Sequence, residues 1–202
     1  MTRAAKISLV LVAVGIGAAV AAATAMIAHG FSARDEPTAI EAFIARRMRE
    51  LAIPRGARDQ QNPIRSANAD VLAEARAHFA DHCAICHAND GSGDTPMGRN
   101  LYPKVPDMRQ AGTQSLSDGE LFYIIHNGIR LTGMPAWGGA DPNQDQDSWK
   151  LVHFIRHLPQ LTSDELANMK ALNPKSPHDL AEEEAIDDFL RGTDTSTTPH
   201  AH

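Results

Sequence analysis

The chain has 202 residues, of which 43% are hydrophobic and 22% are charged, and its formal net charge is −6. This composition excludes a disordered chain, which would be poorer in apolar residues, and a protein with several membrane spans, which would be much richer in them. The sequence contains no block of basic residues, which argues against nucleic acid as a partner, and its 2 cysteines cannot form a disulfide network.

Residues 1–30 form a separate segment in which Arg3 and Lys6 precede an uncharged stretch from Ile7 to Ala28. About 20 apolar residues suffice to cross the core of a bilayer, whereas the apolar core of a secretory signal has roughly 7–15. The length therefore favours an uncleaved transmembrane anchor. The small residues of Ala23-Thr24-Ala25 leave a cleaved signal as the alternative. In both cases the basic residues stay in the cytoplasm and the rest of the chain is exported.

Residues 31–66 are predicted to form an amphipathic helix and a linker. Between Pro37 and Leu51 the apolar residues recur at helical spacing, and three arginines occupy other positions. The apolar residues are Ile40, Phe43, Ile44, Met48 and Leu51, and the arginines are Arg46, Arg47 and Arg49. Pro54 ends this helix, and the polar stretch from Arg55 to Ser66 is interpreted as a linker between membrane and domain. The alternative for the helix is a position on the surface of the domain.

Residues 67–160 are predicted to form a compact all-α domain with long loops. Its first helix can be capped by Asn68 or Asp70, and its apolar face comprises Val71, Leu72, Ala75 and Phe79. Ser117 and Glu120 have the spacing of a capping box at the start of a second helix. A third helix is expected from about Gln146 to His157. No segment alternates in the manner of a strand.

The remaining residues are predicted to form a helical extension, residues 161–191, and a disordered tail, residues 192–202. Asn173 to Pro177 should interrupt the extension, and an acidic helix should follow from Asp179 to Leu190. The tail is rich in threonine, serine and proline, a composition that does not support a packed core. His200 and His202 in this tail are interpreted as solvated residues and not as metal ligands.

Cys83-Ala84-Ile85-Cys86-His87 is the C-x-x-C-H pattern of covalent haem attachment. One helical turn separates the two thiols, so each can bond to one vinyl group of the same porphyrin, and His87 can bind the iron as proximal ligand. A structural zinc site would need four protein ligands, and no second cysteine pair is available. A thioredoxin-like dithiol would need a βαβ context. A plain disulfide would not require the histidine.

Met134 is the predicted second axial ligand, because electron carriers commonly bind iron through His and Met. It follows the second helix in a loop framed by Gly133 and Pro135, where a methionine that merely fills the core is uncommon. The competing methionines are Met97 and Met108, on the loop after the motif, and His126 is a further competitor. The other methionines lie in the anchor, the amphipathic helix or the extension.

From about Val71 to Leu158 the sequence resembles the class I cytochromes c, especially the small exported members with one haem and a ligand loop similar to Thr132-Gly-Met-Pro-Ala-Trp137. The resemblance implies a crossing of the first and last helices of the domain, with Phe79 and Ala75 on one helix and Leu151, Phe154 and Ile155 on the other. It also implies that a loop proline carbonyl accepts a hydrogen bond from the proximal histidine. Pro96 and Pro103 are the two candidates.

The sequence thus predicts an electron carrier, not an enzyme, with one covalent haem c held by Cys83, Cys86, His87 and Met134. It should be tethered to the bacterial cytoplasmic membrane through residues 7–28, with the haem domain on the periplasmic side and redox proteins as partners. The alternative is a haem subunit of a larger membrane dehydrogenase or oxidase, in other words of a respiratory complex. A gas sensor or peroxidase would need an open iron position, against which Met134 argues.

Overall fold

The computed structural model describes residues 2–30 and 32–191 of the chain, and these residues form helices and loops without a strand. The all-α prediction is confirmed for this part of the chain. In chain order the α-helices are Arg3–His29 (α1), Ala39–Ala52 (α2), Arg55–Arg58 (α3), Ala69–His78 (α4), Ala84–His87 (α5), Pro96–Arg99 (α6), Ala111–Gln114 (α7), Asp118–Asn127 (α8), Gln146–His157 (α9), Ser163–Leu172 (α10) and Pro177–Leu190 (α11). The predicted tail, residues 192–202, lies outside the described residues.

The helix α1 contains the predicted membrane anchor. Within the described residues it alone is long and apolar enough to cross a bilayer, since an 18-residue window of Arg3–Ala28 has a mean hydropathy of 2.4 and none of that window is buried. An N-terminal signal sequence would meet the same criteria. Gly30 ends the helix with a positive φ of 87°.

The helix α2 is the predicted amphipathic helix, and a capping box begins it. The hydroxyl of Thr38 accepts a hydrogen bond from the amide of Glu41, and the carboxylate of Glu41 accepts one from the amide of Thr38. None of the residues of α2 is buried, whereas Ile53, which follows it, is 4% exposed.

The segment predicted as a linker, residues 55–66, instead lies against the domain. The hydroxyl of Ser117 donates to the carbonyl of Arg58 at 2.8 Å, and the side-chain amide of Asn62 donates to the carbonyl of Trp149 at 3.0 Å. A Cβ atom on Gly119 would lie only 1.9 Å from the carbonyl oxygen of Ala57, so glycine permits this close approach. The polar groups of this segment form hydrogen bonds with groups at the start of α8 and in α9. The polarity of the sequence alone could not distinguish such an attached segment from a solvated linker.

The core of the domain forms where α4 crosses α9, as predicted. The rings of Phe79 and Phe154 lie 5.0 Å apart at an angle of 54°, and both side chains are almost fully buried. Ala75, which is 1% exposed, keeps the two helices close. Helix α8 joins this core through the ring of Phe122, which stacks on that of Trp149 at 4.0 Å.

The extension is helical, but its first helix, α10, belongs to the core. Met169 is 0% exposed and packs in the same cluster as the α4–α9 crossing. The side-chain amide of Asn173 donates to the carbonyl of Ala80 at 3.1 Å, which attaches the end of α10 next to the haem motif. The predicted end of the domain, residue 160, lies in a single 3₁₀ turn, Leu158–Gln160, after which the chain returns to the core. By contrast, α11 has no buried residue.

Candidate haem site

The C-x-x-C-H motif lies at the end of a helix that changes geometry just before it. A π-helical turn, Phe79–Cys83, follows α4, and the amide of Ala84 donates to the carbonyl of Phe79, five residues earlier. The extra residue in this turn changes the direction in which the following side chains point. The helix α5 then carries Ala84 to His87. The π turn was not predicted, since its sequence contains no glycine or proline that would signal it.

Cys83 and Cys86 are unpaired and partly buried, one helical turn apart. Burial raises the pKa of the Cys83 thiol to about 12, and it also raises the pKa of Cys86. Both groups are therefore neutral thiols at physiological pH. They are available as a pair to form thioether bonds with one cofactor.

The imidazole of His87 is largely buried, and its Nδ1 atom has no hydrogen-bond partner in the described structure. Burial lowers the pKa of His87 to about 4, so the ring is neutral and has a free lone pair at physiological pH. The ring of Phe79 lies 6.4 Å from it. A buried polar atom without a partner calls for a further group at the site. That group is a hydrogen-bond acceptor, because a haem iron would bind the other ring nitrogen, Nε2. The two neutral thiols and this neutral imidazole are the donor set of a c-type haem, so the motif residues fit one.

The loop after the motif is bound tightly to it. The amide of Gly93 donates to the carbonyl of His87 at 2.8 Å, and the hydroxyl of Thr95 donates to that of Ile85 at 2.8 Å. Because Nδ1 of His87 has no partner, neither Pro96 nor Pro103 accepts the hydrogen bond that the resemblance implied. The short helices α6 and α7 interrupt this loop, which was expected to be irregular throughout.

Two acidic residues hold this loop through one arginine. The guanidinium of Arg109 contacts Asp90 at 2.7 Å and Asp107 at 2.8 Å. Its hydrogen bond lowers the pKa of the Asp107 carboxyl well below the usual range. The ion pairs of Arg109 were not predicted, because the sequence of a loop does not reveal whether its charged residues pair with each other or are solvated.

The loop with Met134 is attached to the end of α8 by its backbone. The amide of Trp137 donates to the carbonyl of Ile125 at 3.1 Å, and that of Gly138 donates to the carbonyl of His126 at 3.0 Å. A Cβ atom on Gly138 would lie 1.8 Å from Nδ1 of His126, so only glycine fits there. Met134 itself is partly buried, and its carbonyl accepts from the amide of Ile129 at 3.1 Å.

Two other residues of this loop, Gly133 and Trp137, approach the motif region. The ring of Trp137 meets that of His82, next to Cys83, edge-on at 5.5 Å. The backbone of Gly133 lies against the side chain of Leu101, on the loop after the motif. The structure therefore brings the Met134 loop to the segments that flank the C-x-x-C-H turn.

The competitors of Met134 are engaged elsewhere or exposed. Met108 is 6% exposed and packs in the hydrophobic core. Met97 is 47% exposed on the surface of α6. Nδ1 of His126 contacts a carboxylate oxygen of Asp145 at 2.6 Å, and its ring stacks on Phe122 at 5.4 Å. Neither the His126–Asp145 pair nor its role in holding the loop was predicted.

One protein-family model matches the chain, that of the cbb3-type cytochrome c oxidase subunit III, over residues 70–155. The match includes the motif, the α4–α9 crossing and the Met134 loop, and it leaves out the segments before α4 and after α9. No curated protein matches the chain. Among the described residues no group of three or more His, Cys, Asp or Glu side chains could hold a metal ion. The matched region, residues 70–155, is therefore a cytochrome c domain, in agreement with the all-α fold.

Proposed function

We propose that the chain is a membrane-tethered electron-transfer protein with one haem c, bound covalently by Cys83 and Cys86 and ligated by His87 and Met134. Haem-based electron transfer follows from the cytochrome c domain itself. The observation that carries the finer proposal is the motif turn, where two neutral unpaired thiols adjoin a largely buried, neutral imidazole. The bound haem would supply one-electron redox chemistry.

The number of haem groups follows from the cysteines. The sequence has 2 cysteines, both in this motif, so only one covalent attachment of this type is available. Replacing Cys83→Ser and Cys86→Ser together should abolish covalent haem. The measurements are the mass of the denatured protein and haem staining after denaturing electrophoresis. The proposal would be overturned if the mass of the unmodified protein corresponded to no haem or to more than one haem.

Tethering and orientation rest on α1. Its uncharged stretch is long enough to span a bilayer. Arg3 and Lys6 precede this stretch, and basic residues next to a span tend to stay in the cytoplasm, so we expect the N-terminus there. The haem domain then lies on the periplasmic side of the bacterial cytoplasmic membrane. Protease added to intact spheroplasts should degrade the haem domain, and digestion only after lysis would contradict this orientation.

The second candidate is a haem subunit of a larger membrane oxidase or dehydrogenase. It is favoured by the family match, since the matched family is described as an oxidase subunit. Purification in mild detergent separates the two functions, because a free carrier elutes alone and a subunit elutes with partners in fixed stoichiometry. In either assembly the chain carries electrons and catalyses no reaction on a substrate.

A further inference from the structure

The helix α2 exposes a stripe of apolar side chains, within which Arg47 falls between Phe43 and Ile40 around the helix. The apolar residues of the stripe are Ile40, Phe43, Ile44, Met48 and Leu51. Their exposed fractions run from 49% for Ile44 to 84% for Leu51. At 100° per residue these five side chains occupy less than half of the helix circumference. An apolar surface of this kind on a protein that is otherwise well packed indicates a site of association.

The opposite side of α2 faces the haem domain. Ala42 and Arg49 lie opposite the stripe and are only partly exposed, unlike its apolar residues. Glu41 accepts a hydrogen bond from the hydroxyl of Tyr102, on the loop after the haem motif. The ammonium of Lys104, on the same loop, donates to the carbonyls of Ala33 at 2.9 Å and Arg34 at 3.1 Å. The stripe is therefore turned away from the domain.

The bilayer would lie close to this stripe, because α2 follows the candidate membrane span in the chain. The candidate span α1 ends at His29 and α2 begins at Ala39. The residues between them, 30–38, reach at most about 30 Å when fully extended. If α1 spans the membrane, α2 cannot leave the vicinity of the bilayer surface.

The charges of α2 suit lipid headgroups. Arg46 is exposed on the side of the helix away from the stripe, where its charge adds to the attraction of α2 for an anionic membrane surface without entering the lipid. Arg47 lies on the side of the stripe, with its guanidinium 5.9 Å from the centre of the Phe43 ring and 2.9 Å from Glu50. A long arginine side chain of this kind covers apolar surface while its charged end stays at headgroup level.

We propose that α2 lies in the membrane interface with its apolar stripe in the lipid, an inference that rests on the proposed anchoring by α1. Tyr102 and Lys104 connect the helix and the segment before it to the loop that follows the haem motif. The lipid surface therefore fixes the orientation of the haem domain, because one face of the domain is attached to a helix that lies on the membrane.

Site-specific photo-crosslinking in the full chain tests this orientation. The holoprotein is reconstituted in vesicles of phosphatidylethanolamine and phosphatidylglycerol with Ile44→benzoylphenylalanine, and adducts are identified by mass. We expect lipid adducts about tenfold more abundant than with the matched control Arg46→benzoylphenylalanine, which lies away from the stripe. Adding Met48→Asp to the Ile44-labelled chain should lower the lipid adduct about tenfold.

The identity and position of the adducts distinguish lipid from the other possible occupants of the stripe. Protein adducts at position 44 would overturn the proposal in favour of a partner subunit or a second copy. Equal lipid yields at positions 44 and 46 would overturn it as well. Gly17→benzoylphenylalanine, in the middle of α1, must give lipid adducts. Their absence would refute the anchor and the inference together, whereas lipid adducts at position 17 with none at position 44 would refute the inference alone. The haem spectrum confirms that each variant is folded.

Discussion

At the scale of single residues, the two proposed iron ligands, His87 and Met134, differ in how directly their side chains are constrained. His87 is fixed by burial, and its imidazole is neutral and ready to bind a metal. Met134 is fixed only through its loop, whose neighbours Gly133 and Trp137 contact the segments on either side of the motif. Its assignment as distal ligand is therefore a prediction that needs its own test.

Replacing Met134→Ala should remove the weak far-red absorption band that reports a bond between ferric iron and methionine sulfur. The same change should let carbon monoxide bind the ferrous haem, because the sixth position opens. Optical spectra of the oxidised and reduced protein measure both effects. Met97→Ala is the control, since Met97 is exposed, and it should leave both spectra unchanged. A Met108 variant that loses the band, while the Met134 variant keeps it, would show that Met108 is the ligand.

The buried pair of His126 and Asp145 should stabilise the Met134 loop. The atoms in contact are 2.6 Å apart, and the two side chains are only 8% and 9% exposed. Burial raises the pKa of Asp145, but hydrogen bonds from His126 and Ser148 outweigh it and leave the pKa lowered. A lowered carboxyl pKa stabilises the fold above the ordinary Asp value of about 3.9, and this contribution is lost as the pH falls through the folded-state value.

Asp145→Asn should therefore cost about 1–3 kcal/mol of unfolding free energy at neutral pH, since a buried hydrogen-bonded partner is lost. The difference from the unmodified protein should shrink as the pH falls below about 4. Urea unfolding at a series of pH values measures it. Asp164→Asn, on the exposed side of α10, should change little at any pH. An Asp145 effect that is independent of pH would mean that its charge contributes nothing.

At the scale of secondary-structure elements, the crossing of α4 and α9 could be predicted because helical periodicity marks the buried face of each helix. The capping residues Asn68 and Ser117 could be predicted for a similar reason, since their side-chain chemistry suits helix starts. The π turn could not be predicted, because its geometry depends on packing around Phe79. Membership of α10 in the core was equally hidden, since Met169 is the one buried residue of this helix and nothing in the sequence separates it from the other apolar residues, Leu166 and Leu172.

Phe79→Ala should destabilise the protein by about 3–5 kcal/mol, the range for removal of a buried aromatic side chain. Its ring is 1% exposed and meets both Phe154 and His87, so no solvent or flexible group can fill the space it leaves. The measurement is urea unfolding of the detergent-solubilised holoprotein. Phe43→Ala is the matched control, because Phe43 is 57% exposed, and it should change the free energy by less than about 0.5 kcal/mol. Similar effects for both variants would mean that the crossing does not depend on Phe79.

At the scale of the whole molecule, the haem domain is attached to the segments that follow α1 more closely than the sequence suggested. Residues 55–66 lie on the domain, and the carbonyls of Ala33 and Arg34 are held by Lys104. A polar segment in a sequence does not reveal whether its hydrogen bonds go to water or to protein, which is why the attachment could not be predicted.

Deleting residues 1–30 and exporting the rest with a cleavable signal should leave the haem spectrum and midpoint potential unchanged, because α1 makes no buried contact with the domain. Electron delivery to membrane partners should fall, since tethering raises the effective concentration of the carrier at its partners. The measurements are fractionation of the cells and respiration with the shortened protein at native abundance. Native protein that begins after residue 25 and is already soluble would show that the segment is a cleaved signal.

The position of α10 in the core has a consequence for the order in which an exported chain matures. Translocation from the N-terminus delivers Cys83 and Cys86 before Met169 and Asn173, which close the side of the core next to the π turn. During that interval the motif is outside the membrane while its neighbouring surface is still open. We therefore expect haem insertion to be easiest on the emerging chain, and slow into a chain that has already folded to its end.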